Sequence, residues 1–469
     1  MKTTIWTATL TALLLVPLAA LQAATPPAKP NIIFILTDDQ RFDAMNAAGC
    51  PEIKTPAMDQ LAAEGSRFSQ ATFMGGNTAA VCMPSRSMIM TGKSLFHCKG
   101  VIAPGAVTLP QLLRQNGYST FTSGKWHNDS GSLLRSFEYG KGIFMGGMGD
   151  HFKTPVVDIQ NGGLVNHHEI TEFDAEVFTN NTIDFLTNRP KEKPFFVYLS
   201  FKTPHDPRVV PPRFHQMYNP AKLSLPPNFL PEHPFDNGEM KIRDEKLAPM
   251  PRTPEVIRQH IAAYYAAITA TDDQIARVLK TIDTLGLAEN TIVVFAGDNG
   301  LAVGQHGLMG KQNLYDHSAR IPLILRGPGI PKGKRSEALC QLFDLYPTLA
   351  AMAGLQSPAG VDGKDLGPVL HGEQTDVRTA TFHSYKNVQR AVRTHDAKLI
   401  EYLVKGKRTT QLFDLKNDPW EMNNLALDPA HAGLLQSMRQ QLQTLTHDYD
   451  APPLGKTVNS EVPPSESAE

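Results

Sequence analysis

The sequence predicts an α/β protein: a central mixed, mostly parallel sheet with helices on both faces, followed by a small C-terminal α+β subdomain. Three observations point there. Short, almost continuously apolar segments rich in β-branched and aromatic residues recur along the chain. Amphipathic helical stretches that stop at glycine lie between them, and after Gly354 the pattern changes. Strands buried on both faces lose the alternation of half-buried ones, and alternating strand and helix signals favour a sheet with helices on each side.

The strand segments are Asn31–Leu36 (NIIFIL), Pro194–Phe201 (PFFVYLSF) and Thr291–Ala296 (TIVVFA). Helical patterns run over Thr55–Glu64 to Gly65, Leu109–Asn116 to Gly117 and Pro254–Leu285 to Gly286; in the last, Ile257, Ile261, Ile268, Ile275 and Ile282 form one stripe. Asp272 and Asp273 of that helix are neighbours and point about 100° apart, so they read as a solvated face rather than a chelating pair. From Pro204 to Arg252 the chain is rich in Pro, His and charge without a period, which reads as a long loop over the sheet edge. His167-His168 reads as an exposed strand. In the C-terminal part, Val392–Leu403 and Thr409–Leu415 flank the basic turn KGKR as a hairpin, and Leu434, Leu435, Met438, Leu442 and Leu445 repeat at helical spacing. The tail 451–469 is Pro, Ser and Glu with few apolar residues and is expected to stay disordered.

With 45 Lys and Arg against 46 Asp and Glu, the chain has no global field for nucleic acid or an anionic membrane. Met1-Lys2, the apolar run Ala8–Leu21 and small residues at Ala23 and Ala24 have the anatomy of a cleaved signal peptide over 1–24. That run is shorter than the roughly 20 apolar residues of a spanning helix, so a secreted or periplasmic protein with no membrane span is expected. The four cysteines, Cys50, Cys82, Cys98 and Cys340, are too few for a disulfide scaffold.

Ligands of open α/β sheets bind beyond the carboxyl ends of the strands. Here those ends are strongly polar: Asp38-Asp39 after the first strand, Gly124-Lys125-Trp126-His127 after Tyr118–Ser123, Pro204-His205-Asp206 after Pro194–Phe201, and Asp298-Asn299 after Thr291–Ala296. Carboxylates brought together in a dry pocket repel unless a divalent cation neutralises them. Asp38, Asp39, Asp298 and the Asn299 amide oxygen are hard ligands, and an all-protein oxygen set favours Ca2+ over zinc or copper. Cys82 opens a helix with Pro84 in its first turn, at the end that favours an anion.

Cys82-Met83-Pro84-Ser85-Arg86, with Thr91-Gly92-Lys93 after it, resembles the signature of the type I sulfatases, in which the cysteine is oxidised to formylglycine. Gly117-Tyr118-Ser119-Thr120-Phe121-Thr122-Ser123-Gly124-Lys125-Trp126-His127 is similar to that family's second signature, and both lie in family order between the two metal-binding strand ends. The likeness covers roughly Asn31 to Gly354 and, more loosely, Gln411–Pro419. Met83 departs from the small residue usual there, which bears on recognition by the modifying enzyme.

The resemblance implies an alkaline-phosphatase-like fold, with a catalytic domain over 25–360 and the subdomain over 361–450. It also implies one calcium per chain on Asp38, Asp39, Asp298 and Asn299, with the position of Cys82 joining the set. The hydrated aldehyde at Cys82 would attack sulfur through one of its geminal hydroxyls, held by Arg86. Lys125 and Lys311 would stabilise the sulfuryl oxygens, His205 assisted by Lys311 would protonate the leaving oxygen, and His127 would deprotonate the second hydroxyl to expel sulfate. The partners implied are a formylglycine-generating or anaerobic sulfatase-maturing enzyme and a sulfated carbohydrate, the latter read as cleaved by exo action. Arg208, His306 and Asn313 are expected near the sugar. A phosphodiester or phosphonate monoester hydrolase and a non-catalytic carbohydrate-binding relative are the alternatives.

Overall fold

The computed structural model describes residues 29–456. The expected signal peptide and residues 457–469 of the tail lie outside them. From one edge the main sheet runs Lys334–Ser336, Ser66–Phe68, Leu323–Arg326, Thr291–Gly297, Asn31–Thr37, Phe195–Ser200, Ser119–Lys125, Tyr139–Phe144, Thr154–Gln160 and Gly163–Ile170. The five strands from Thr291–Gly297 to Tyr139–Phe144 are mutually parallel, and antiparallel pairs flank them on both sides. The sheet is thus mixed, with a parallel centre whose carboxyl ends all face one way.

Alternation along the buried first strand divides its side chains between two cores. Ile32, Phe34 and Leu36 join the cluster with Leu113, Tyr346 and Leu349, while Ile33 and Ile35 join the cluster under Ile257, Ile261, Ile268, Ile275 and Ile282. A strand with apolar residues at every position is the local consequence of helices on both faces. The long helix Pro254–Thr284 starts at Thr253, whose hydroxyl accepts the Val256 amide at 3.4 Å, with Pro254 in its first turn.

Asp272 on this helix is not solvated. It is buried, and its carboxylate accepts the amides of Ala57 at 3.0 Å and Met58 at 2.8 Å, the free N–H groups that open helix Pro56–Glu64. Asp273, the next residue, is exposed. Asp272→Ala is expected to lower unfolding stability by about 1–3 kcal/mol, because it leaves two buried donors without an acceptor. Denaturant titration of the variant measures this, and an unchanged midpoint would remove the capping role.

The C-terminal sheet has the order Lys407–Asp414, Ala397–Val404, Gln389–Arg393, Thr381–Tyr385, Gly75–Gly76. The expected hairpin exists, with Lys405 and Gly406 at positive φ in its turn. Its first strand is shorter than read: the chain from Val392 to Leu403 is two antiparallel strands, split at Thr394, whose amide donates to the Ala397 carbonyl at 2.9 Å. Helix Ala432–Asp448 covers one face through Met438 and partly buried Leu434, Leu435, Leu442 and Leu445. Residues 451–456, assigned by composition to the disordered tail, touch the fold at two points: Ala451 is buried and exposed Gly455 donates its amide to the Asn387 carbonyl. His167 and His168 lie exposed on an edge strand, as read. All four cysteines are free. Among the described residues no helix is long and apolar enough to cross a membrane.

Gly75–Gly76 belongs to the sequence of the large lobe yet pairs in parallel with Ser384 and Tyr385. Gly75 has φ +121, and a Cβ there would lie 1.9 Å from the Ser384 carbonyl oxygen, so only glycine fits. Beside it, His383 Nδ1 donates to the Phe73 carbonyl at 2.9 Å, a contact between residues 310 apart in sequence.

Candidate active site

The carboxyl ends of the five parallel strands converge on one buried cluster. Asp38 follows Thr37, Asp298 follows Gly297 on the neighbouring strand, Lys125 ends its strand, and His205 follows Phe195–Ser200 by five residues. Asp38, Asp39, Cys82, Arg86, Lys125, His205, Asp298, Asn299 and Lys311 are all buried. Cys82 is the first residue of helix Cys82–Thr91, and Ser85 one turn on donates to the Asp298 carbonyl at 2.6 Å, fixing the helix end against the sheet.

Cys82 Sγ lies 3.3 Å from His127 Nδ1 and 3.6 Å from Lys125 Nζ. Lys125 also donates to the Gly147 carbonyl at 2.5 Å and pairs with Asp38. Arg86 reaches Asp298 Oδ2 through Nε at 3.1 Å and Nη2 at 3.0 Å, and its Nη1 donates to the Lys125 carbonyl and Ser200 Oγ. Lys311 Nζ meets Asp39 Oδ1 at 2.6 Å, and His205 Nε2 lies 3.6 Å from Asp39 Oδ2. Asp39 itself sits at φ 67, where non-glycine residues are strained. Tyr264 of the long helix holds it, donating to the Asp39 carbonyl at 2.7 Å and accepting the Arg41 amide at 2.8 Å.

Burial and electrostatics set the protonation states. Burial pushes the Cys82 thiol up despite Lys125 and Lys311. Burial, then Lys125 and Arg86, hold His127 well below the usual histidine range, so it is a neutral base. Burial and then Lys311 also lower His205. Lys311 stays charged, because Asp39 and its neighbours outweigh the burial that would lower it. Burial would raise Asp38, but Lys125, His205 and Arg86 outweigh it and keep the carboxylate ionised; burial and then Asp38 push Asp298 up to about 7.

The residues present fit a hard cation. Asp38 Oδ1 and Asn299 Oδ1 are buried without any hydrogen-bond partner, an arrangement that costs a few kcal/mol unless something electropositive faces them. The acceptor atoms of Asp38, Asp298 and Cys82 lie within 4.8 Å of one another, as do those of Asp38, Asp39 and His205. Asn299 Nδ2 donates to Asp39 Oδ1 at 2.7 Å, which turns its oxygen the other way.

The three expected sugar contacts each make bonds within the protein, and Arg208 Nη2 is left buried without a partner. Arg208 Nε donates to the Pro204 carbonyl at 3.3 Å, and its guanidinium lies 5.2 Å from the centre of the Tyr264 ring. His306 stacks on Tyr315 with ring centres 4.0 Å apart and bonds Asn228 at 3.1 Å. Asn313 caps a turn, donating to the Gly310 carbonyl and accepting the Tyr315 amide. All three are buried, because the segment 204–252 folds down over the strand ends and the Lys311 loop instead of trailing over a sheet edge.

Gly147 was missed by the sequence reading. It belongs to the run Met145-Gly146-Gly147-Met148-Gly149-Asp150 after strand Tyr139–Phe144, and a Cβ there would come 2.8 Å from His127 Nε2. The strand-end rule would have found it had YGKGIF, poor in β-branched residues, been recognised as a strand.

Residues 30–355 match the Sulfatase family, and residues 304–448 match the family described as N-sulphoglucosamine sulphohydrolase, C-terminal. The chain is 31% identical to an ulvan-active sulfatase of Formosa agariphila over 91% of its own length and 80% of that protein's. It is 29% identical to an N-acetylglucosamine-6-O-sulfatase of Bacteroides thetaiotaomicron, covering 93% and 91% of the two chains. Its fold superposes with a TM-score of 0.79 on a protein solved with its substrate D-glucosamine-2-N,6-O-disulfate, at 28% identity, over 91% of this chain and 100% of that one. Signatures, strand-end cluster and family match agree: the chain belongs to the sulfatase family and is a sulfuric ester hydrolase.

Proposed function

We propose that the protein is an exported enzyme that removes sulfate from a sulfated saccharide, using calcium and a formylglycine made from Cys82. The observation that carries the reading is the position of Cys82 between His127 and Lys125, beside buried Asp38 and Asn299, each with an unpartnered oxygen. The names of the relatives support a glycan as the substrate class.

Asp38, Asp39, Asp298 and Asn299 would hold the cation. When bound it offsets the carboxylates and draws charge from a sulfuryl oxygen, while the oxidised side chain at position 82 supplies an oxygen nucleophile. The chain's own residues do the rest. Lys125 and Lys311 place two fixed positive charges where the sulfuryl group enters, and positive charge held in advance stabilises negative charge that develops there. Arg86 makes three hydrogen bonds through Nε and Nη1 that fix Asp298, Ser200 and the Lys125 backbone, while its buried Nη2 has no hydrogen-bond partner and would hold the hydrated side chain at position 82. His127 Nδ1 faces position 82 in the neutral state and takes a proton from it. His205 donates its Nδ1 proton to the Asp206 carbonyl at 2.7 Å, which leaves Nε2 turned to Asp39 and the pocket. An entering sulfate ester adds negative charge there, opposing Lys311 and burial, and favours the protonated imidazole that the leaving alkoxide needs.

The test is a substrate panel with the matured enzyme: sulfated oligosaccharides from algae and animal glycosaminoglycans, nitrophenyl sulfate, choline sulfate, and phosphate di- and monoesters. The expected result is highest kcat/KM on one class of sulfated oligosaccharide. Efficient turnover of phosphodiesters with weak sulfate hydrolysis would replace this reading by the phosphodiester or phosphonate alternative. Silence on every sugar alongside fast turnover of aryl or choline sulfate would remove the saccharide.

A further inference from the structure

Three consecutive side chains in the segment 204–252 each grip a different part of the site. Arg243 Nη2 donates to Asp206 Oδ1 at 3.0 Å and Nη1 pairs with Oδ2, a bidentate grip on the residue whose carbonyl orients His205. Asp244 Oδ2 accepts Gln312 Nε2 at 2.8 Å, and Gln312 Oε1 in turn accepts the Lys311 amide at 3.0 Å. Glu245 accepts the amides of Met309 at 3.1 Å and Gly310 at 2.9 Å, and Arg252 holds it at 2.5 Å. The loops of His205 and Lys311 come from distant parts of the chain, and both side chains bear on the one Asp39 carboxylate.

We infer that Arg243-Asp244-Glu245 is a clasp that fixes His205 relative to Lys311, and so positions the proton donor for the leaving oxygen. This rests on the reading of His205 and Lys311 as the acid pair. The three are positioning residues: each acts through backbone or side-chain atoms adjoining the pair. The short span matters, because one helical turn carries all three grips and a shift of any one moves the others. Holding donor and leaving oxygen at hydrogen-bond distance is what general acid catalysis requires, and its loss costs on the order of 100-fold or more. An alkoxide from a sugar cannot leave without that proton, whereas a nitrophenolate can.

The experiment compares Arg243→Ala, Arg243→Lys and Asp244→Ala with the wild type on two substrates, the sulfated sugar hydrolysed fastest and nitrophenyl sulfate. The Arg243 side chain is 42% exposed, so its removal leaves little packing defect. For Arg243→Ala and Asp244→Ala the expected result is a fall in kcat on the sugar of roughly 30–100-fold with KM altered less than about threefold, against under about fivefold on nitrophenyl sulfate. Arg243→Lys, which keeps the charge but not the two-point grip, should fall between. Equal losses on both substrates would reduce the clasp to a structural staple, and a rise confined to KM would make Arg243 a sugar contact; either overturns the proposal, as does an unchanged sugar rate. A wild type inactive on all sulfate esters would instead remove the underlying sulfatase reading and the clasp with it.

Discussion

Cys82→Ser and Cys82→Ala are each expected to fold normally and to lose steady-state sulfate ester turnover by roughly 10^4–10^6-fold, the scale seen when a nucleophile is deleted from an assembled site. The physical reason lies in the surroundings of the side chain. Burial pushes the thiol up, so an unmodified Cys82 is a neutral thiol at pH 7 and a weak nucleophile. A serine oxygen in its place, facing the same neutral His127, can accept a sulfuryl group once but has no second hydroxyl through which to expel it. Pre-steady-state kinetics with nitrophenyl sulfate should therefore give at most one product per serine enzyme, with unchanged circular dichroism. Continued turnover by the serine variant would sink the requirement for an oxidised side chain, and intact mass of the wild-type protein reports the modification directly.

Chelation of calcium is expected to abolish activity and to lower Tm by roughly 5 °C, with both restored by adding calcium back. A ligand at about 100 times its Kd stabilises the folded state by about 2.7 kcal/mol, and a chain of this size shifts its midpoint by a few degrees or less for each of those. The sign follows from the buried carboxylates. Burial and Asp38 push Asp298 up to about 7, which is a statement that ionising it unaided is costly, and a cation removes that cost. Zinc retained in equal stoichiometry after calcium removal, with Tm and activity intact, would contradict the hard-ligand assignment. Calorimetric titration of the apoprotein separates loss of metal from loss of fold.

Much of this site could be read before the fold was known. Asp38, Asp298 and Lys125 sit at the carboxyl ends of apolar strands, and such ends in a parallel sheet must share one side of the molecule. Cys82 and Arg86 lie one turn apart on a short helix, so their spacing in sequence is also their spacing in space. What escaped was whatever depends on how separate elements pack. Asp272 looks like any charged residue on a helix until the N-terminus of Pro56–Glu64 is set against it. His306 and Asn313 carry the right donors near the right motifs, yet Asn228, Tyr315 and a local turn engage them, while Arg208 lies over Tyr264 with one guanidinium nitrogen unpartnered. The clasp residues lie in a segment with no period, where only the three-dimensional path of the loop reveals what each side chain holds. The split between the strands Gln389–Arg393 and Ala397–Val404 was hidden because Thr394-His395-Asp396 has neither Gly nor Pro to mark the turn.

The pairing of Gly75–Gly76 with Ser384 and Tyr385 sets an order of events during biosynthesis. The stretch leading into Cys82 is held by a strand that leaves the ribosome some three hundred residues later, and the folded protein leaves Cys82 only 1% exposed. Contacts so distant along the chain form late, since the intervening polypeptide must be made and brought back first. Until the C-terminal sheet assembles, the stretch leading into Cys82 lacks the strand that holds it in the folded protein. Truncating the chain before Thr381 is therefore expected to leave residues 73–76 without their partner strand, which faster proteolytic cleavage of that stretch would report.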